Sequence, residues 1–237
     1  MGGEGGLRFQ THSAYRTSNS LIDGDLDGIP DGRDVTRGSI RVDWRKNWVL
    51  SNGMVAAVLG EATADLYNIS QDPIYGGMTA RGHANAGVEL RWPMVKSDPK
   101  GASHLIEPVA QMIWSTKGSS ALPNEDSALV EFDEGNLFAL NRFPGEDAVE
   151  RGFRANLGVS YLRVDPAGWT MGVTAGRVVR AEDPLQFSVG SGLAGVNSDW
   201  LAAFQIKTWA GLQLTSRFLV DDDLNVTKGE LRLGTAG

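Results

Sequence analysis

The side chains best suited to chemistry lie in a short acidic segment near the N-terminus. Residues 23 to 34 read Asp-Gly-Asp-Leu-Asp-Gly-Ile-Pro-Asp-Gly-Arg-Asp. Carboxylates stand at the first, third, fifth, ninth and twelfth places of a calcium-type loop: Asp23, Asp25, Asp27, Asp31 and Asp34. Ca²⁺ takes about six to eight oxygen ligands on a tight turn, and this spacing supplies them. We predict a candidate Ca²⁺ site that fills at millimolar concentration. The alternative is a solvated turn in which the aspartates cap their own backbone.

Catalytic chemistry has little support in the sequence. The chain has no cysteine, which excludes disulfides, Cys-ligated metals and thiol nucleophiles. Its three histidines, His12, His83 and His104, lie in or beside predicted strands, and no Gly-x-Ser-x-Gly turn accompanies them. We interpret them as ordinary polar-face or interface side chains. The prediction is that the protein is not an enzyme and takes no cofactor beyond the candidate Ca²⁺.

Composition and charge narrow the class of protein further. The 237 residues carry 22 basic and 29 acidic side chains, a net charge of −7, so a nucleic-acid partner is not expected. The 41% hydrophobic content is too high for a disordered chain. Residues 1 to 6 lack the basic and apolar regions of a secretory signal. We therefore expect either a cytosolic protein or an internal piece of a longer chain.

The elements that must position these residues follow a period of two. Apolar and polar side chains alternate in the segments 40–44, 86–92, 153–161, 169–175, 200–206 and 212–220. Turn residues such as Asn52-Gly53 and Asp165-Pro166-Ala167-Gly168 separate the alternating segments. Strict alternation indicates antiparallel strands with one apolar and one polar face. The sequence predicts an all-β protein, with about ten strands of roughly 10–14 residues in an up-and-down meander.

Two architectures fit such strands. In a soluble β-sandwich the apolar faces meet in a dry core, whereas in an outer-membrane barrel they face lipid and the polar faces line a wet lumen. Strand length, a polar face rich in Gly, Ser, Thr, Asn and Arg, and seven tryptophans placed mostly near strand ends favour the barrel. We predict one β-barrel segment over residues 1–237, with long loops at 21–34 and 116–150.

Residues 104 to 180 also resemble a known family. His104-Leu-Ile-Glu-Pro-Val-Ala-Gln111 is similar to the Leu-Glu-Pro-x-x-Gln strand of the lipopolysaccharide (LPS) assembly outer-membrane protein, the LptD family. Pro123–Ser127, Phe132–Phe138 and Asn141–Asp147 resemble the loop sequences that follow in that family. The motif positions are His104, Glu107, Pro108, Asn124, Asp126, Ser127, Asn136, Leu137, Phe138, Arg142, Gly145 and Asp147.

The resemblance implies an outer-membrane barrel that inserts LPS into the outer leaflet. It also implies a plug lipoprotein, LptE, a periplasmic LPS bridge and a lateral gate between first and last strands. Because the sequence shows no signal peptide, no jelly-roll domain and no terminal aromatic, we interpret the chain as a fragment, an internal piece of the family's C-terminal barrel. Basic residues predicted to face the lumen are Arg154, Arg163, Arg180, Lys207 and Arg217, with plain solvation as the alternative. A generic porin-like channel and a soluble calcium-binding β-sandwich remain alternative functions.

Overall fold

The computed structural model of the chain describes residues 2–24, 29–117 and 122–235. Strands dominate this described part, in the order β1 Glu4–Ala14, β2 Asp34–Val49, β3 Val55–Ser70, β4 Gly77–Arg91, β5 Met94–Ser97, β6 Ser103–Ser115, β7 Gly152–Val164, β8 Thr170–Arg180, β9 Trp200–Lys207, β10 Leu212–Val220 and β11 Val226–Thr235. One 3-10 turn, Val189–Ser191, is the helical element there. No helix in these residues is long and apolar enough to cross a membrane.

The strands form one antiparallel sheet in chain order. Each strand pairs with the next, except that β4 pairs with β6 and the short β5 pairs with the first part of β6. Strands β1 and β11 are the two edges, so the sheet is open. The predicted all-β meander is confirmed, and an open sheet is what an incomplete barrel requires.

The two ends of the sheet differ in their connections. At one end, which we call the short-turn end, tight turns join the strands: 50–54, 98–102, 165–169 and 208–211. At the other, the loop end, lie the longer connections 15–33, 116–151 and 181–199, together with two further turns. Successive antiparallel strands reverse direction, so the connections alternate between the two ends, and the three long ones all lie at the loop end.

The two faces of the sheet also differ. On the face that we call outer, apolar side chains are exposed, as in Ile40 at 48% and Leu157 at 44%. On the inner face polar and charged side chains are buried, as in Arg37 at 3% and Asn156 at 0%. A water-soluble sandwich buries its apolar faces instead. The β-sandwich alternative is therefore wrong, and the barrel prediction fits this arrangement.

A break between β4 and β5 has a local cause. The register on both sides of the break places Trp92 opposite Pro108 and Pro93 opposite Glu107, and neither proline has a backbone N–H to donate. One bond crosses the gap, from the Trp92 N–H to the Pro108 carbonyl at 3.1 Å. The sheet continues through β5 on the far side of the break.

Candidate functional site

The connection between β6 and β7 folds back over the inner face. We call its residues 122–151 the inner loop. At one side of the sheet Asp147 of this loop binds Arg37 on β2 at 2.5 Å, and at the other side Glu134 binds Arg217 on β10 at 2.8 Å. The inner loop therefore crosses the inner face from β2 to β10 and covers its half nearest the loop end.

The first contact region is built on two aspartates that cap each other's backbone. Asp126 Oδ1 accepts the Asp147 N–H at 2.9 Å, and Asp147 Oδ2 accepts the Asp126 N–H at 3.3 Å. We call the strands of the sheet the wall. Two of its inner-face residues, Arg37 on β2 and Tyr67 on β3, donate to Asp147 Oδ1. Arg81 donates to the loop carbonyl of Asp147 at 2.5 Å. Charge-assisted bonds of this kind are stronger than neutral ones and fix the loop to β2, β3 and β4.

Close approach in this region requires a glycine. A Cβ at Gly145 would lie 2.1 Å from Asp126 Oδ1, which no side chain tolerates. The same crowding places several donors on the Asp126 carboxylate. Burial tends to raise the pKa of Asp126, but the N–H groups of Asp147 and Glu146, the Ser127 hydroxyl and Arg37 outweigh it and lower that pKa.

The second contact region is a buried carboxylate among three arginines. Glu150 lies 2.6 Å from Arg142, 3.1 Å from Arg180 and 3.6 Å from Arg154. All four side chains are at most 2% exposed. Burial alone would raise the pKa of Glu150, yet the three guanidiniums hold it below its usual range. The loop thus brings the counter-charge for wall arginines on β7 and β8.

Further hydrogen bonds carry this cluster into the wall. Arg142 donates to Asn156 Oδ1 at 2.6 Å, and Asn156 donates to Gln111 at 2.6 Å. Arg154 donates to Ser115 at 2.9 Å and to the Leu140 carbonyl. Buried polar groups need such partners, and the network ties the loop to β6 and β7 as well.

An apolar contact completes the docking of the loop. Leu137 sits over Gly158 and Gly176, which are paired across β7 and β8. A Cβ added at Gly158 would lie 2.8 Å from the Leu137 Cδ2 methyl. Around this seat lies a small core that combines loop and wall residues: Phe132, Leu137, Val178, Leu193, Leu201 and Leu219. Burial of each large apolar side chain stabilises the docked loop by about 1.5–3 kcal/mol.

Most of the predicted family-motif residues lie in the inner loop and shape it. Asn124 accepts the Ser127 N–H at 2.9 Å, and the Ser127 hydroxyl donates to Asp126 at 2.8 Å. Asn136 accepts the Asp133 N–H at 3.0 Å, which closes a turn just before Leu137. The Phe138 ring packs beside Leu137 against the same apolar core.

The remaining motif positions are on β6, near the short-turn end. They do not share one face, since side chains alternate along a strand. Glu107 points to the inner face and lies 3.3 Å from Arg91. His104 and Pro108 lie on the outer face, at the register positions paired with Arg163 and Val159.

The predicted lumen arginines fall into two groups. Arg154, Arg180 and Arg217 are on the inner face, where each binds a carboxylate of the inner loop. Arg163 is on the outer face, because it stands an odd number of residues from Arg154 on the same strand. It contacts Asp165 at 2.7 Å and the Trp169 ring instead. Lys207 is exposed at the short-turn end of the inner face.

The acidic segment is only partly placed. Asp34 begins β2 and accepts the Arg16 N–H at 2.8 Å, while Asp31 accepts the Gly24 N–H at 3.1 Å. Asp25 and Asp27 lie outside the described residues, and so does Gly28. Within residues 2–24, 29–117 and 122–235, no three acidic or histidine side chains are grouped to hold a metal. Calcium binding by Asp23 and its neighbours stays a prediction.

Sequence reasoning missed the wall residues that hold the loop. Arg37, Tyr67 and Arg81 of the wall contact Asp147, and Glu150 of the loop itself contacts three arginines, but the sequence analysis predicted a role for none of these four residues. The signal was present in the alternation itself. Arg37 and Arg81 occupy inner-face positions inside β2 and β4, where a buried charged side chain needs a counter-charge from another element.

Comparison with known proteins agrees with the sequence motifs. The profile of the family LptD, described as LPS transport system D, matches residues 2–236. No curated protein matches the chain significantly. The match covers nearly the whole chain, including every motif residue on β6 and in the inner loop. LptD proteins are outer-membrane transport and assembly proteins rather than enzymes, and this family supports a role in LPS transport. Because the profile matches residues 2–236, we conclude that the chain belongs to the LptD family.

Proposed function

We propose that the chain forms part of the barrel wall through which LPS passes into the outer leaflet of the outer membrane. The observation that carries this proposal is the pairing of an exposed apolar outer face with a polar inner face covered by a loop. An exposed apolar face of this extent needs lipid around it. Because the chain belongs to the LptD family, we take LPS as the transported molecule.

The orientation follows from the connections. Outer-membrane barrels place short turns in the periplasm and long loops outside. The short-turn end is therefore periplasmic in our proposal, and the inner loop enters the lumen from the cell surface. LPS would approach from the periplasmic half, where the inner face is polar and uncovered. Exposed side chains there include Gln205, Lys207 and Gln213.

These polar groups suit the sugar and phosphate parts of LPS. Amide and ammonium groups donate hydrogen bonds to sugar hydroxyls and phosphate oxygens. The inner loop, held to the wall by Glu150 and Asp147, would then cover the lumen on the cell-surface side. We also propose, from the family, that a plug lipoprotein of the LptE type and a periplasmic LPS bridge are the partners.

A porin-like channel is the second candidate. It is favoured by the inward fold of the 122–151 loop, which is how a constriction would be built. Membership of an LPS-transport family weighs against it. The two functions differ in conductance: a porin-like channel passes ions steadily in a planar bilayer, whereas a transporter sealed by the inner loop does not.

The test is surface LPS in cells that depend on the protein. A fluorescent LPS-binding probe on intact cells measures the outer leaflet, and total LPS is measured after lysis. We expect depletion to lower surface LPS while total LPS is retained. Unchanged surface LPS after depletion, together with steady ion conductance of the purified protein, would support the porin-like channel instead.

A further inference from the structure

Three basic residues form a row across neighbouring strands on the outer face. Lys96 on β5 is paired in register with His104 on β6, which is paired with Arg163 on β7. The row lies at the short-turn end of the sheet. In the described residues the Lys96 ammonium has no carboxylate within ion-pair distance, and its side chain is exposed.

An apolar groove adjoins this row on the side of the sheet's centre. The next register positions are Met94, Ile106 and Tyr161, and with Val95 they line a groove of about 380 Å³. The Tyr161 hydroxyl lies 2.8 Å from His104 Nδ1, so the aromatic wall of the groove is fixed to the basic row.

Two carboxylates lie beyond the row, in the turns. Asp98 Oδ2 is 3.7 Å from His104 Nε2, and Asp165 Oδ2 is 2.7 Å from Arg163 Nη2. Backbone N–H groups of the turns, led by those of Ala102 and Ala167, lower the pKa of both aspartates, which keeps them ionised. Arg163 also lies over the Trp169 ring, 4.9 Å from its centroid.

The order of these groups is apolar, then cationic, then anionic, counted outward from the middle of the sheet. A phosphoethanolamine lipid has the same order of complementary groups: acyl chain, phosphate, then ammonium. We propose that this groove and basic row bind a glycerophospholipid with a phosphoethanolamine headgroup, in the periplasmic leaflet. The proposal rests on the outer-membrane placement proposed above. Cationic side chains at a membrane surface attract the negative phosphate groups of lipids.

The headgroup chemistry explains why ethanolamine is favoured over related lipids. Its primary ammonium donates hydrogen bonds to Asp98 and Asp165, which a quaternary choline cannot do. A glycerol headgroup offers the phosphate but no cation for the two carboxylates. One acyl chain would lie in the groove along Met94 and Ile106.

The chain contains a matched control. Lys46 is also an outer-face lysine near the short-turn end, and its ammonium lies 5.1 Å from the Trp48 ring centroid. It has neither the neighbouring basic row nor the groove. If Lys96 only contacts the membrane interface, its change to Glu should affect lipid retention as little as the same change at Lys46. If Lys96 binds the lipid, its change to Glu should reduce retention more.

The test is native mass spectrometry of the purified protein in detergent, titrated with phosphatidylethanolamine, phosphatidylcholine or phosphatidylglycerol. We expect phosphatidylethanolamine to be retained best, and Lys96→Glu to reduce its retention about fivefold or more. The double change Asp98→Asn and Asp165→Asn should remove the preference over phosphatidylglycerol. Lys46→Glu should change nothing, and circular dichroism confirms that each variant is folded.

Three results would overturn the proposal. Lys96→Glu could retain as much phosphatidylethanolamine as the unchanged protein, or Lys46→Glu could lose as much of it as Lys96→Glu does. Inorganic phosphate could also compete fully with the lipid, which would assign the basic row to free phosphate. The surface-LPS measurement separates this proposal from the proposed function. Normal LPS delivery without lipid selectivity contradicts the lipid site alone, whereas lipid selectivity without LPS delivery contradicts the transport function alone.

Discussion

Glu150 lies 2.6 Å from Arg142, and neither side chain is exposed to solvent. Both residues belong to the inner loop, yet the same carboxylate also faces Arg154 and Arg180 of the wall. The loop therefore supplies the one negative charge that the described structure places among these three guanidiniums. The wall arginines can therefore be buried only when the loop docks and places Glu150 beside them.

Glu150→Gln should release the inner loop. The change leaves three guanidiniums buried without their counter-charge, and breaking a buried ion pair in this way costs about 3–5 kcal/mol. Limited proteolysis of the folded protein in detergent measures the effect, because cleavage within residues 122–151 requires the loop to leave the wall. The cleavage rate should rise at least tenfold.

Glu134→Gln is the matched control for this experiment. Glu134 binds Arg217 at 2.8 Å in the same loop, but its side chain is 34% exposed. Pairs exposed to this extent contribute about 0–1 kcal/mol. Equal cleavage of the two variants would contradict the special role assigned to Glu150.

Gly158→Ala should disturb the seat of Leu137. The new methyl would lie 2.8 Å from Leu137 Cδ2, and overpacking of this kind costs about 1–3 kcal/mol. Leu137→Ala alone should cost about 2–5 kcal/mol because it leaves a cavity. Denaturant or thermal unfolding measures each variant and the double variant. The double variant should lose less stability than the sum of the single changes, and strict additivity would mean that the two residues do not touch.

Acid should weaken loop docking. The folded protein has lowered pKa values at Asp126 and Glu150, so both carboxylates stabilise it fully above their unfolded values of about 3.9 and 4.3. That stability is lost as pH falls through the lower folded pKa values. The melting temperature should therefore stay level down to about pH 5 and fall below about pH 4.

Other turn carboxylates also have lowered pKa values, so a comparison isolates the loop. The double variant Asp126→Asn with Glu150→Gln should start from a lower melting temperature and lose less of it in acid. Parallel acid curves for the variant and the unchanged protein would mean that these two carboxylates do not hold the loop.

Calcium binding by residues 23 to 34 remains a prediction. Weak sites of this type have dissociation constants of about 10⁻⁴–10⁻³ M. Isothermal titration with CaCl₂ should give one site in that range, and Asp25→Asn with Asp27→Asn should abolish it. Asp221→Asn is the control, since Asp221 lies in a different acidic turn, where it accepts the N–H groups of Asp223 and Asn225. Identical titrations of all three proteins would reject the site.

The strands were predictable because alternation is a local property. Phe153 to Tyr161 and Leu212 to Val220 lie within β7 and β10, where period two placed them. The first strand was not singled out. Its outer positions include Gly5, Thr11 and Ser13, which weakens the apolar half of the pattern.

The candidate site was predictable in part. The motifs pointed to Asp126, Arg142 and Asp147, but nothing local states that their loop folds inward. That depends on partners about 90 to 110 residues distant, such as Arg37, which binds both Asp126 and Asp147. Long-range pairing of this kind leaves no period in a single sequence. The predicted lumen position of Arg163 is wrong for a local reason, because alternation along β7 places it on the outer face, opposite to Arg154.

The most direct test of LPS passage is photo-crosslinking in living cells. A photoreactive amino acid is placed at Gln205, on the exposed inner face near the short-turn end, or at its neighbour Ile206 on the outer face. Passage through the lumen predicts LPS adducts from position 205 that disappear when LPS synthesis is blocked, with few or none from position 206. LPS adducts from position 206 alone, or from neither position, would contradict the account.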